Sequence, residues 1–300
     1  MDKKLLFIYN AKSGKAKIRN KLVDIIDVFI KAGYRVESYQ TQCPMDASAK
    51  IAKDGVDFDM IVCSGGDGTL NEVVSGTMKL ENKPIIGYIP SGSTNDFGKT
   101  LGLYKDMVKS AKVAVNGRPV SVDVGEFNGN KNFVYIAAFG VFTDVSYQTP
   151  QNMKNILGHQ AYIIEGIKSL PSIKAYRMKV EYENGRFEDE FIYGMISNSE
   201  SAGGFKGISG KNVILDDGLY EGTFIRKPRS PIELTSIINS IISGNIKSDA
   251  IYNFKTSKIK ITSKEPVSWT IDGEFGGEHT EVNILNHMNA IQIMAHLHKK

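Results

Sequence analysis

The first third of the chain alternates short apolar runs with segments whose apolar residues recur every three or four positions. Leu5–Tyr9, Val36–Tyr39, Met60–Cys63 and Ile85–Ile89 read as strands. Helical patterns fall at Ala16–Ala32, Ala47–Lys53, Leu70–Met78, Asn95–Leu101 and Tyr104–Val115. This alternation predicts a parallel sheet with crossover helices, whose ligands gather beyond the C-terminal strand ends. Asn10, the Gly65–Thr69 turn and Pro90–Asp96 all fall at such ends.

Near Pro119 the rhythm changes to short β-branched and aromatic runs separated by Gly, Asn and Asp. They are Val120–Phe127, Asn132–Phe142, Arg177–Glu183, Glu190–Ile196, Tyr220–Arg226, Lys258–Thr262, Val267–Asp272, Val282–Leu285 and Ala290–Ala295. Helical patterns interrupt them at Gln160–Ser169 and Pro231–Ser243. This half predicts an antiparallel sandwich or barrel-like domain. The expected fold class is therefore α/β plus all-β. A Rossmann-like parallel α/β domain spans 1–119, a β-sandwich domain spans 120–289, and 290–300 packs back on the first. No linker rich in Pro or Gly separates the halves, so the site is expected in a cleft between them.

Composition narrows the class only a little. The chain has 300 residues, enough for two modest domains. No apolar run approaches the length of a membrane span, and the N-terminal run Leu5–Tyr9 is too short for a signal peptide. Cys43 and Cys63 make no disulfide framework and no zinc spacing, which fits a reducing, cytoplasmic setting. The net charge of +4 is mild. It lacks the basic, aromatic-interleaved stretches of a nucleic-acid binder, so no nucleic-acid partner is expected.

The most informative stretch is Val62-Cys63-Ser64-Gly65-Gly66-Asp67-Gly68-Thr69-Leu70-Asn71-Glu72. An apolar strand ends in three glycines around one aspartate, and a helical pattern starts at once. That arrangement presents backbone N–H groups to a phosphate, with no Cβ in the anion's way. A carboxylate there would repel bare phosphate, so Asp67 suggests an intervening divalent cation. A second turn, Pro90-Ser91-Gly92-Ser93-Thr94-Asn95-Asp96-Phe97, follows the next strand and also carries an aspartate. The Walker P-loop and the G-x-G-x-x-G fingerprint are both missing, and Ser13-Gly14-Lys15 matches only the tail of the former.

These residues resemble the catalytic domain of diacylglycerol kinases, in particular the soluble bacterial lipid-kinase branch related to sphingosine and ceramide kinases. The resemblance rests on Gly65-Gly66-Asp67-Gly68-Thr69 with Asn71-Glu72, on Asn10-Ala11-Lys12-Ser13-Gly14, and on Pro90–Phe97. It extends through Asp123-Val124-Gly125, Leu215-Asp216-Asp217-Gly218-Leu219 and Ile271-Asp272-Gly273-Glu274. The first motif alone is shared with NAD kinases; the six together are specific. Ala11 stands where the family has proline and Ser93 where it has threonine, departures that keep Asn10 and the hydroxyl.

The resemblance implies an ATP- and Mg²⁺-dependent lipid kinase, with diacylglycerol the favoured acceptor and phosphatidic acid the product. It puts Asn10, Thr41, Gly65, Gly66, Asp67, Gly68, Thr69, Asn71, Glu72 and Ser93 on the nucleotide. Asp67, Asp96 and Asp123 match carboxylates that hold catalytic Mg²⁺ through water. Asp217, with the backbone carbonyls of Ile214 and Leu219, matches a structural Mg²⁺ site; an Asp-Gly hairpin turn is the plain alternative. Glu274 matches the general base, with Asp272 as its electrostatic partner, and the residues alone leave the reverse assignment open. Alternation would put these two on the same face of a strand. A lipid acceptor implies transient, peripheral contact with a membrane surface, through the basic N-terminal helix or residues near Phe205, and an apolar groove lined by Tyr135–Phe142 and Gly203-Gly204-Phe205. An exposed β edge leaves room for a homodimer. The competing readings are an NAD-kinase-like phosphotransferase and a nucleotide-binding regulator without catalysis.

Overall fold

A computed structural model of the chain describes residues 3–14, 16–140, 174–199, 201–202, 205–206, 213–243 and 248–296. The expected helix Gln160–Ser169, the residues Gly203 and Gly204, and the end of the Tyr135–Phe142 groove lie outside them. The chain divides into two units. Unit 1 holds the residues up to Val124, Leu215–Asp217, and those from His287 onward; unit 2 holds the rest.

Unit 1 is built on β1 (Lys3–Tyr9), whose apolar run Leu5–Ile8 is completely buried, as a strand covered on both faces requires. β1 pairs in parallel with β2 (Tyr34–Gln40) and β3 (Met60–Gly65), and β3 pairs in parallel with β4 (Ile85–Pro90). In this register Tyr9 lies opposite Gln40 and Ser64, and Gly65 opposite Pro90. Four strands thus end on one line, and their outgoing loops share one edge. Around the sheet run α1 (Leu22–Lys31), α2 (Asp46–Asp54), α3 (Asp67–Thr77), α4 (Asp96–Thr100) and α5 (Met107–Asn116). The helical pattern Ala16–Ala32 breaks into a 3-10 turn, Lys17–Asn20, and α1, because Ala16 takes a left-handed φ of 53° and Lys21 leaves the helical region.

Glycines set how closely these helices approach. A Cβ on Gly87 of β4 would lie 2.7 Å from the Ala114 Cβ of α5, and one on Gly76 of α3 would lie 2.9 Å from the Ile51 Cβ of α2. The core joins Phe7, Phe29, Met60, Val62, Ile89, Ala111 and Ala114. Each buried Phe, Met, Val or Ile among these contributes roughly 1.5–3 kcal/mol.

Unit 2 is an antiparallel sheet. β5 (Arg118–Phe127) enters it and pairs with β6 (Lys131–Phe133). β7 (Ile136–Gly140), β8 (Tyr176–Tyr182), β9 (Gly185–Ser197), β12 (Tyr220–Arg226), β13 (Ile251–Thr256) and β14 (Lys258–Ile271) follow, with the short pair β10 (Ser201–Ala202) and β11 (Phe205–Lys206) apart. β7 and β8 both lie between the long strands β9 and β14, at successive stretches of their length. α6 (Pro231–Ser243) follows the end of β12. The core is aromatic: Trp269 packs against Phe127 and Phe139 with ring centroids 5.5 and 5.0 Å apart. β15 (Glu274–Ala295) pairs with β14 in unit 2, and its last residues pair in parallel with β4 in unit 1 through Ile293 and Ile86.

Several expected strands merge. Lys258–Thr262 and the expected strand from Val267, up to Ile271, belong to the single strand β14, which shifts register between Thr262 and Val267. Val282–Leu285 and Ala290–Ala295 belong to β15. One expectation is corrected: Asp272 is not on a strand face beside Glu274. Ile271 pairs directly with Glu274, and Asp272-Gly273 form the two-residue turn between them, with φ of 49° and 85°. Positive φ at both central residues is the type I′ geometry that an Asp-Gly pair favours.

Candidate active site

The three loops leaving β1, β3 and β4 meet backbone to backbone. The Gly65 carbonyl accepts the N–H of Ser91 at 2.8 Å and of Gly92 at 3.2 Å, and the Tyr88 hydroxyl at 3.3 Å. The Asn10 N–H donates to the Ser64 carbonyl at 2.9 Å. The junction leaves no room for a side chain at its glycines. A Cβ on Gly14 would stand 2.3 Å from the Ser91 carbonyl oxygen, one on Gly92 2.5 Å from Gly66 Cα, and one on Gly65 2.2 Å from Thr69 Oγ1. Gly14 is also left-handed, at φ 56°. Gly14, in the Asn10–Gly14 segment, packs on Ser91 and is a structural part of this junction.

α3 starts directly from it. Gly66 is its N-cap and supplies no side-chain cap, so the first-turn N–H groups of the helix face the glycine turn. The positive end of an 11-residue helix beside a glycine-rich turn is an arrangement that favours an anion. Asn10 folds over the first loop through its Oδ1, which accepts the Lys12 N–H at 2.9 Å. Thr41, at the end of β2, is tied to the Tyr9 carbonyl through its N–H at 3.0 Å. Ser93 is exposed on the third loop.

The acids fall into separate settings. Asp67 opens α3, half-buried, and its Oδ2 accepts the Asp96 N–H at 3.2 Å. Asp96 is buried at the start of α4, and its Oδ1 pairs with Lys99 Nζ at 2.8 Å. Burial, reinforced by the Asp67 carboxylate, pushes the Tyr88 hydroxyl well above the ordinary tyrosine range, so it stays a neutral donor. Asp123, on β5, is completely buried; it accepts the Asn289 N–H at 2.7 Å and donates its own N–H to the Leu215 carbonyl at 2.8 Å. It thereby fastens three separate chain segments of unit 1. Glu72 Oε2 accepts the Ala47 N–H at 3.2 Å, which caps α2. Asn71 Oδ1 accepts the Ser75 hydroxyl at 3.5 Å.

In unit 2, Glu274 is exposed at the first position of β15. Asp272 is 3% exposed, and its carboxylate accepts three backbone N–H groups, from Val134 at 2.7 Å, Tyr135 at 3.0 Å and Ile136 at 3.1 Å. Ile214 lies outside helix and strand with about half its surface exposed, and Asp217 and Gly218 form a bend with Gly218 at φ 77°. Among the described residues no group of three or more His, Cys, Asp or Glu is arranged to hold a metal, and no helix is long and apolar enough to cross a membrane.

Comparison with known proteins draws these features together. A profile described as the diacylglycerol kinase catalytic domain matches residues 4–127, the stretch that carries the glycine junction. The match is thus to a kinase. Diacylglycerol kinase of Bacillus subtilis is 32% identical over 295 residues, covering 96% of both chains, and that of Staphylococcus haemolyticus is 35% identical, covering 98% of this chain and 88% of its own. A crystal structure of a candidate diacylglycerol kinase from Bacillus anthracis superposes with a TM-score of 0.84 at 25% identity, covering 98% of this chain and 95% of that one. The chain belongs to the diacylglycerol kinase family.

Proposed function

We propose that the protein transfers the terminal phosphoryl group of ATP to the hydroxyl of a membrane lipid, with diacylglycerol as acceptor and phosphatidic acid as product. The glycine junction over the start of α3, with Asp67 at its edge, is the observation that carries this reading. Backbone N–H groups would take the phosphates, and Asn10, Thr41, Gly65, Gly66, Gly68, Thr69, Asn71, Glu72 and Ser93 would line the nucleotide. The capping bond from Glu72 to Ala47 supports an indirect share for that residue, through the position of α2.

Mg²⁺ fits the donor set tested against its chemistry. The ion prefers oxygen ligands, few direct carboxylates and retained waters, so it does not need a cluster of three protein ligands. Asp67 and Asp96, joined at the junction, offer such carboxylates, and Asp123 is the third acid of the proposed set. Mg²⁺, when bound, would neutralise charge on the phosphate oxygens. Asp217 with the carbonyls of Ile214 and Leu219 is proposed as a separate structural site, an all-oxygen set suited to the same ion.

Glu274 is the proposed base. The lipid hydroxyl would give its proton to the Glu274 carboxylate as its oxygen bonds to phosphorus. The bond from phosphorus to the bridging oxygen breaks, and ADP leaves with that electron pair. The buried, hydrogen-bonded setting of Asp272 supports a supporting role for it over proton transfer.

Incubation with γ-labelled ATP, Mg²⁺, NAD and mixed vesicles containing diacylglycerol tests the reading. Labelled phosphatidic acid is expected. Label on NAD alone would favour the NAD-kinase-like reading, and ATP binding without transfer to any acceptor would favour the regulator.

A further inference from the structure

The segment Val134–Ile136 is tied at nearly every backbone group. Its three N–H groups converge on the two oxygens of Asp272. The Ile136 carbonyl accepts the Asp272 N–H at 2.9 Å. The Tyr135 carbonyl accepts the Asn198 N–H and the Ser197 hydroxyl, each at 2.9 Å. Ser197, Asn198 and Asp272 are all buried. The Tyr135 hydroxyl lies 4.0 Å from where a Cβ on Gly273 would sit, so its ring reaches the turn itself. Asp272 therefore binds the connection into β7 to the hairpin whose next strand begins at Glu274.

A carboxylate accepting three N–H bonds in a buried place is committed to structure. Its lone pairs point at the backbone, and charge-assisted bonds of this kind are stronger than neutral ones. Gathering three parallel N–H groups also demands an acceptor-only group. An asparagine there would turn an amide N–H₂ towards donors, leaving at least one bond unmade. The left-handed φ of 49° at Asp272 is likewise a conformation that Asp tolerates better than most residues.

We infer that Asp272 is a positioning residue: its carboxylate clamps Val134–Ile136 to the Asp272-Gly273 turn and so sets where the Glu274 side chain stands. This inference deepens the proposed function and rests on Glu274 being the base. It makes the ionised Asp272 a fixed anchor, not a second proton acceptor.

The test compares Asp272→Asn with the parent protein by three measurements. Hydrogen exchange reads the amides of 134–136, calorimetry reads the Kd for Mg²⁺ with ATP, and the pH profile of kcat for diacylglycerol reads the base. The expected result is lost protection at 134–136, a fall in kcat of roughly tenfold or more, an unchanged nucleotide Kd, and an acidic limb that keeps its midpoint. Full protection at 134–136, or loss of the acidic limb, would overturn the inference. If the asparagine variant does not fold, Gly273→Val strains the turn while leaving the carboxylate in place. Reduced protection at 134–136 and a matching fall in kcat are expected, and an unchanged kcat would overturn the inference. Glu274→Gln separates the two ideas: unchanged turnover in that variant, with 134–136 still protected, would remove the base assignment and leave the clamp standing.

Discussion

The carboxylate of Asp67 accepts the backbone N–H of Asp96 at 3.2 Å, joining the start of α3 to the start of α4. Two loops that are 29 residues apart in sequence are thereby held together by one acid. That acid also lies where the helix dipole favours negative charge. Asp67→Asn should keep much of this bond, since its Oδ1 still accepts, yet it removes the charge. Folding stability should change by about 1 kcal/mol or less. Affinity for ATP in the presence of Mg²⁺ should fall at least about tenfold, the size of a lost charge-assisted contact. Calorimetry with and without the metal checks this. An unaltered Mg²⁺ dependence would contradict the role given to Asp67.

Gly65→Ala tests the junction sterically. The new methyl would meet Thr69 Oγ1 at 2.2 Å and Thr69 Cβ at 2.3 Å, so the first turn of α3 must move. The expected cost is roughly 1–3 kcal/mol in chemical denaturation, together with loss of nucleotide affinity. Gly33→Ala is the control. It has open space around it but sits at φ 86°, so it should lose about 1–2 kcal/mol from backbone strain and keep its nucleotide affinity.

Much of unit 1 was legible because β1 and β3 carry unbroken apolar runs closed by Asn or Gly, as at Ile8-Tyr9-Asn10 and Cys63-Ser64-Gly65. The start of α3 was read at Leu70; the helix begins at Asp67, since glycines around an acid look like loop until the helix dipole is counted. Unit 2 was harder. Polar residues at Ser263–Pro266 hide the continuity of β14, and they coincide with its register shift. β13 was missed because Ile251–Thr256 mixes Asn and Lys with its aromatics, as a half-exposed strand does. The sequence holds two Asp-Gly pairs of interest. At Asp217-Gly218 a hairpin is the plain alternative to a metal site, whereas the two-residue turn between paired strands is Asp272-Gly273. What no local pattern shows is that Val134–Ile136, more than a hundred residues away, supplies three N–H groups to Asp272. The family was legible from six short motifs, and the relatives bear it out.

Glu274→Ala should leave ATP affinity unchanged and lower turnover on diacylglycerol by roughly 10²-fold or more, the range of a general base. Exposed Glu274 is not a folding determinant, so the variant should unfold within about 0.5 kcal/mol of the parent. Steady-state kinetics beside denaturation separates the two effects. Normal turnover would reassign the base.

Acid should loosen the attachment of α6. The backbone N–H of Arg229, followed by the Arg226 guanidinium, holds the Glu233 carboxyl below its ordinary value of 4.5. The folded form therefore binds its proton less readily than the unfolded form. Its contribution to stability is complete above the unfolded value and disappears as pH falls through the folded one. Denaturation at about pH 7, 5 and 3.5 should show less acid loss in Glu233→Gln than in the parent. Equal losses would place the acid sensitivity elsewhere.

The most direct measurement is a crystal structure with a non-hydrolysable ATP analogue and Mg²⁺. The account predicts phosphate density against the Gly65–Thr69 turn, with the metal bridged by water to Asp67. Phosphates found away from that turn, with the glycine junction closed on itself, would contradict it.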